Sequence, residues 1–433
     1  MTEIITDTQS LRQLVDELKA EPFVTVDTEF MREKTYWPKL CLVQLAGASR
    51  AAAVDPLAEG IDLAPLGELL ADTSVLKVFH AARQDVEIFL LLFGAVPTPM
   101  FDTQVAAMVC GFGESVGYET LVNKLARASI DKSSRFTDWS RRPLTEKQAT
   151  YALADVTHLR TVYEKLARLL EDSGREEWLD EEMATLNAAE TYETKPDVAW
   201  ERIRTRSLDR RFLGLVRELG AWRERQAQSR NVPRTFITKD ETLLEMASSQ
   251  PKTVDDLRRV RGLPKWATEG AGGEEVLSCI ARALAEPKGD LPDREPPRDL
   301  PRGLGPLIEL LKVLLKMKSE EHGVARTLIA SQDDLEMLAI DGPTAPIAAL
   351  KGWRHEVFGE DALRLLSGDV ALGARGRSIA VLSLSGEEAV LQSTRRKQRK
   401  RKLRKDDDTT DAGDGPADGT DDAGTISADI AAD

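Results

Sequence analysis

The stretch VTVDTEF, residues 24–30, starts as a buried β-strand and then sets two carboxylates, Asp27 and Glu29, where the apolar pattern should continue. Residues two apart on a strand point to the same face, so the two acids project together. Like charges are costly to bury unpaired. A basic side chain, solvent or a metal ion must therefore lie opposite them.

Around this stretch the first two hundred residues read as α/β. FVTVD (23–27), LCLVQLA (40–46), AAAV (51–54) and VLKVF (75–79) have strand character. Helical patterns follow from residue 85, around 103–110, from 118, and from Thr145, where Ala149, Ala152, Val156, Leu159, Val162 and Leu166 keep the helical period. Strands early and helices later predict a mixed sheet covered by helices.

From about residue 205 the pattern reads as helical only, and it repeats. VPRTFITKDETLLEMA (232–247) matches VARTLIASQDDLEMLA (324–339) at a fixed offset of 92, with Arg234 aligned on Arg326 and Leu243 on Leu335. A linker rich in Pro and charge separates the two copies. The predicted organisation is a domain at 1–200, a helical module at 205–288, a linker at 289–303, a second and more divergent module at 304–372, and a tail at 373–433. The tail lacks the apolar surface to fold alone.

Charge is unevenly spread. The chain of 433 residues carries a formal net charge of −14, yet residues 202–288 hold eighteen Lys or Arg against twelve Asp or Glu. RRKQRKRKLRK (395–405) holds nine basic residues, and 406–433 holds ten Asp with no basic residue. The overall acidity thus does not exclude a polyanionic partner. Three distant cysteines and four scattered histidines fit neither a disulfide framework nor a zinc site. No signal peptide is visible, and the apolar run IFLLLFGAV (88–96) is too short to span a bilayer. The expectation is a cytoplasmic protein with no membrane contact.

Two further acidic elements follow the first. In KVFHAARQDVEIF (77–89) a strand ends and Asp85 opens an amphipathic helix. On its own that is a carboxylate favoured by a helix N-terminus. In YALADVTHL (151–159), Tyr151 and Asp155 are four apart and share a helix face, a pattern equally shown by a tyrosine at a core edge beside a solvated aspartate.

Taken in order, strand D-x-E, strand–loop–helix with D, and helix Y-x-x-x-D resemble the DEDDy 3′–5′ exonucleases. VDTEFMREKTYWPKLCLVQLA, HAARQDVEIF and SVGYETLVNKLARASIDKSSRFTDWSRRPLTEKQATYALADV extend the likeness to bacterial ribonuclease D over residues 20–370. The resemblance implies a ribonuclease H-like exonuclease domain followed by two HRDC-type (helicase and RNase D C-terminal) helical domains. It implies an enzyme that hydrolyses RNA from the 3′ end to nucleoside 5′-monophosphates, with transfer RNA precursors as typical substrate and no obligate protein partner. Two divalent ions, Mg2+ or Mn2+, would be held by Asp27, Glu29, Asp85 and Asp155, with Asp27 bridging. Such ion pairs activate water and stabilise the leaving oxygen, and Tyr151 would orient that water. A DNA exonuclease of the same chemistry and a non-catalytic RNA-binding adaptor are the rival readings.

Other candidates stand beside bland alternatives. Tyr36 and Trp37 offer rings for stacking on bases, or form a core corner. Trp139 and Arg142 precede the catalytic helix and either meet the RNA strand or make a helix-entry turn. Arg234 either contacts RNA or forms a salt bridge repeated at Arg326. His80, at a strand end near the metals, suits packing or a hydrogen bond better than metal ligation.

Overall fold

The apolar run at 23–26 is a strand in the computed structural model of the chain, which describes residues 3–134, 137–294 and 300–384. The strand does not stop at the acids. The elements at the start of the chain are β1 (Ile4–Ile5), α1 (Thr8–Leu18), β2 (Phe23–Met31), β3 (Lys39–Ala46), β4 (Ala51–Val54), α2 (Ala64–Ala71), β5 (Leu76–Phe79), α3 (Arg83–Phe93) and β6 (Met100–Asp102). The six strands form one mixed sheet in the order β1-β4-β3-β2-β5-β6. β2 lies inside it, antiparallel to β3 and parallel to β5, and a register shift between Glu29 and Phe30 bends its end.

Four helices complete this part of the chain: α4 (Thr103–Val109), α5 (Tyr118–Leu121), α6 (Glu146–Ser173) and α7 (Glu176–Asn187). A π-turn at Val122–Ala126 continues α5. A capping box between Thr145 and Gln148 starts α6, which packs across β2 and β3. The Thr25 hydroxyl donates to the Val156 carbonyl (2.8 Å) and Arg160 to the carbonyls of Phe23 and Ala46 (3.2 Å each), pinning helix to sheet.

The helical region contains α8 (Arg210–Arg230), α9 (Arg234–Ile237), α10 (Asp240–Ser249), α11 (Val254–Arg259), α12 (Gly270–Ala285), α13 (Gly305–His322), α14 (Arg326–Ile329), α15 (Gln332–Asp341), α16 (Gly352–Arg354) and α17 (Glu360–Ser367). The repeat seen in the sequence reaches the element bounds: α9 maps onto α14, and α10 onto α15, at the same offset of 92.

Each copy meets the first part of the chain through the corner that follows its long helix. In the first copy Asn231 is left-handed (φ +50°), and its Oδ1 accepts from the backbone N–H groups of Tyr36 (3.1 Å) and Trp37 (2.9 Å). In the second, Gly323 occupies the matching position with φ +60°, and its carbonyl accepts from Arg175 (3.1 Å). There the Ala325 N–H also donates to the Met108 carbonyl (2.9 Å), Arg326 pairs with Glu114 (2.9 Å), and Trp353 stacks on Trp178 with ring centroids 4.2 Å apart.

A separate unit holds β7 (Val370–Arg375) and β8 (Ser378–Ser383), an antiparallel hairpin closed at Gly376 and Arg377, with Gly376 at φ +61°. This corrects the expectation of helix alone beyond residue 205 and of an unstructured tail from 373. The basic run at 395–405 and the acidic segment at 406–433 lie outside the described residues.

Candidate active site

Asp27 and Glu29 leave β2 on the face covered by α6, the helix that carries Tyr151 and Asp155. Carboxylate oxygens of Asp27, Glu29 and Asp155 lie within 4.8 Å of one another. Asp155 is well fixed, because the carbonyls on either side of it are both held from outside the helix: Tyr118 donates to Ala154 (3.1 Å) and Thr25 to Val156.

Asp85 stands outside this trio, on the first turn of α3. The turn before α3 is shaped by Asp102, whose carboxylate accepts from the N–H groups of Ala81 (3.0 Å) and Ala82 (2.8 Å) and holds Ala81 at φ +59°. The side chain of Asp85 accepts a hydrogen bond from Thr28, the residue between the two acids of β2.

Burial and mutual repulsion dominate the electrostatics of these acids. Burial first, then the charges of Asp85, Asp155 and Glu29, push Asp27 well above the usual carboxylate range. Burial pushes Asp85 up to about 7, against the lowering effect of the Thr28 hydroxyl. Burial and the neighbouring charges of Asp155, Glu29 and Asp27 raise the Tyr151 phenol further above its ordinary value, so it stays protonated at neutral pH. Hard oxygen donors gathered in this way suit a divalent cation.

These shifts fix the sign of a pH effect. Below about 4 Asp85 is protonated whether the chain is folded or not; between about 4 and 7 only the folded state keeps the proton. In chelator, stability should therefore fall as pH rises through that window, Asp85 contributing on the order of a few kcal/mol and the raised Asp27 acting in the same direction. Asp85→Asn should flatten the profile, as thermal unfolding from pH 4 to 8 would read. An equally steep profile in the variant would place the titration elsewhere.

The remaining predicted contacts have structural partners. Tyr36 is 5% exposed, and its hydroxyl donates to Glu224 of α8. Arg234 donates to the same carboxylate through Nε (2.5 Å) and Nη2 (2.6 Å) and lies 4.8 Å from the centre of the Tyr36 ring. Arg142 grips Asp55 through Nε (2.5 Å) and Nη2 (2.6 Å) and also donates to the Cys41 carbonyl (2.7 Å). Trp139 is buried, its ring 6.1 Å from that of Tyr151. As placed, Tyr36 and Trp139 offer no open face for a base, and both arginines spend their charge on internal carboxylates. His80 contacts the Thr103 hydroxyl (3.0 Å) and packs beside Tyr118.

Tyr118 and Thr28 also bear on the site through their hydrogen bonds to Ala154 and Asp85, and no local sequence pattern marks either. Gln44 is the one polar residue inside the apolar run LCLVQLA.

Comparison with known proteins agrees with this geometry. Residues 2–171 match the model of a 3′–5′ exonuclease domain family, and residues 212–280 that of the HRDC domain. The second helical copy carries no such match, so one HRDC domain is established. A ribonuclease D from Granulibacter bethesdensis is 53% identical over 384 residues, spanning 88% of this chain and 96% of its own. The chain belongs to the ribonuclease D family. Its fold and enzyme class follow: it is a hydrolytic 3′–5′ exoribonuclease of the divalent-metal type. Ribonuclease D from Jannaschia sp. is 50% identical, spanning 89% of this chain and all of its own. The crystal structure of Escherichia coli ribonuclease D, described as an exoribonuclease involved in structured RNA processing, is similar with a TM-score of 0.70 at 31% identity, over 85% of this chain and 99% of that one. Among the described residues no helix is long and apolar enough to cross a membrane.

Proposed function

We propose that this ribonuclease D family member removes nucleotides from the 3′ end of structured RNA precursors, transfer RNA among them, as nucleoside 5′-monophosphates, in the cytoplasm. Asp27, Glu29, Asp85 and Asp155 hold two divalent ions, Mg2+ or Mn2+. The observation that carries this reading is the trio of Asp27, Glu29 and Asp155, gathered within 4.8 Å beside Tyr151. Bound ions would supply Lewis-acid activation of water and charge stabilisation at the leaving 3′ oxygen.

The protein's own residues do the rest. Asp155 is held between two anchored carbonyls, and Asp85 is oriented by Thr28. Tyr151 keeps its proton next to Asp155, so it works as a hydrogen-bonding group that orients the attacking water rather than as a base. Tyr151 packs against the buried cluster that contains Trp139.

The test uses a precursor with a free 3′ hydroxyl and the same RNA blocked at that end. Only the first should yield 5′-monophosphates. Tyr151→Phe should lower the single-turnover rate by about 10²-fold or more, the usual range for such groups, while calorimetric manganese affinity stays within about twofold. Equal cleavage of the blocked RNA would refute the 3′-end reading. A large loss of manganese affinity in the variant would make Tyr151 part of the metal site instead.

A further inference from the structure

The Gln44 side chain is fully buried, yet neither its amide nitrogen nor its oxygen has a hydrogen-bond partner in the protein. A buried amide without partners is unfavourable, and a leucine or methionine would fill the same place in the run LCLVQLA without that penalty.

Its position supplies a reason. In the β2–β3 ladder Gln44 stands directly opposite Asp27, two pairs along from Glu29 and Leu42 and on the same face. Opposed side chains on antiparallel strands start about 4.5–5.5 Å apart at Cβ, so the carboxamide shares the α6-covered face with the acid that lies among Glu29, Asp85 and Asp155. On its other side the opposed residue is only Ala53 of β4. A glutamine here has a property that lysine or arginine lacks. Its N–H groups favour the ionised carboxylate, while the side chain brings no positive charge to repel or replace a cation.

We propose that Gln44 is a positioning residue of the metal site, donating from Nε2 to the Asp27 carboxylate and fixing its plane when a divalent ion is bound. The proposal rests on the metal reading given above, and it extends the site to a residue outside the four acids and Tyr151.

The experiment compares the full-length wild type with Gln44→Met, a volume-matched apolar replacement. Manganese affinity is measured by calorimetry and thermal unfolding is followed in chelator. The expected results have opposite signs. The variant should bind manganese about 10–100-fold more weakly, the usual effect of losing a hydrogen bond to a metal ligand, and should unfold at a higher temperature without metal, because the unpartnered amide is gone. A wild type that binds no manganese would overturn both the metal reading and this one. If the wild type binds and the variant binds equally well, the role of Gln44 alone is overturned. Affinity and metal-free stability falling together would mark Gln44 as a packing residue, which also overturns it.

Discussion

Asp27→Asn and Asp155→Asn should each lose at least about 10³-fold in turnover with magnesium while unfolding at a higher temperature than the wild type in chelator. The first effect follows from charge. A divalent site contributes several kcal/mol of transition-state stabilisation, and each 1.36 kcal/mol is tenfold in rate. The second follows from the same geometry without metal. Asp27 is pushed up by burial and then by Asp85, Asp155 and Glu29, so neutralising any member relieves the others. Asparagine keeps the shape and avoids a cavity. Turnover in magnesium and melting in chelator, measured on the same preparations, form a paired test. Near-normal turnover, or a metal-free variant less stable than the wild type, would contradict the assignment of these acids as cation ligands.

The second large effect is expected far from the metals. Glu224 is 1% exposed and receives hydrogen bonds from Tyr36 and from both the Nε and Nη2 of Arg234. Arg234→Leu would strand a buried carboxylate, which costs about 3 kcal/mol or more. Arg234→Leu combined with Glu224→Leu should recover much of the loss, since removing both charges leaves none uncompensated. Denaturant unfolding of the wild type, the single and the double variants reads this directly. RNA affinity, measured where every variant is folded, should barely change. A loss of affinity at unchanged stability would return Arg234 to the RNA surface. The same contacts warn against dividing the chain after residue 200, because that cut would uncover Tyr36 and the buried Trp200.

The motifs are readable because each is local and they come in a fixed order: Asp27 and Glu29 on one strand, Asp85 at a helix start, Tyr151 and Asp155 one helix turn apart. Their setting is less so. Asp27 and Glu29 look like the end of a strand, since a sequence cannot show that charged residues face a site rather than water. β2 in fact runs on to Met31. β1 and β6, with two and three residues, are too short for any periodicity to register. The hairpin at 370–383 was hidden by Gly373 and Gly376, which resemble loop composition until the turn they serve is known. Tyr36 and Arg234 stay ambiguous in the sequence for another reason. Each is ordinary alone, and their contact spans 198 positions of sequence, a pairing that no local pattern reveals.

The matching corners at Asn231 and Gly323 bear on ancestry. If the two helical copies arose by internal duplication, what was copied included a joint as well as a bundle of helices. A newly duplicated module ordinarily has to evolve both a core and a place to attach. Here both copies carry a left-handed corner at the matching position, so a duplicated module would have brought its joint with it and needed only a receiving surface. The second copy lacks the family match that the first one has, yet it keeps the corner and its grip on the exonuclease part of the chain. The present chain thus holds the same joint twice, each time against a different part of the exonuclease domain.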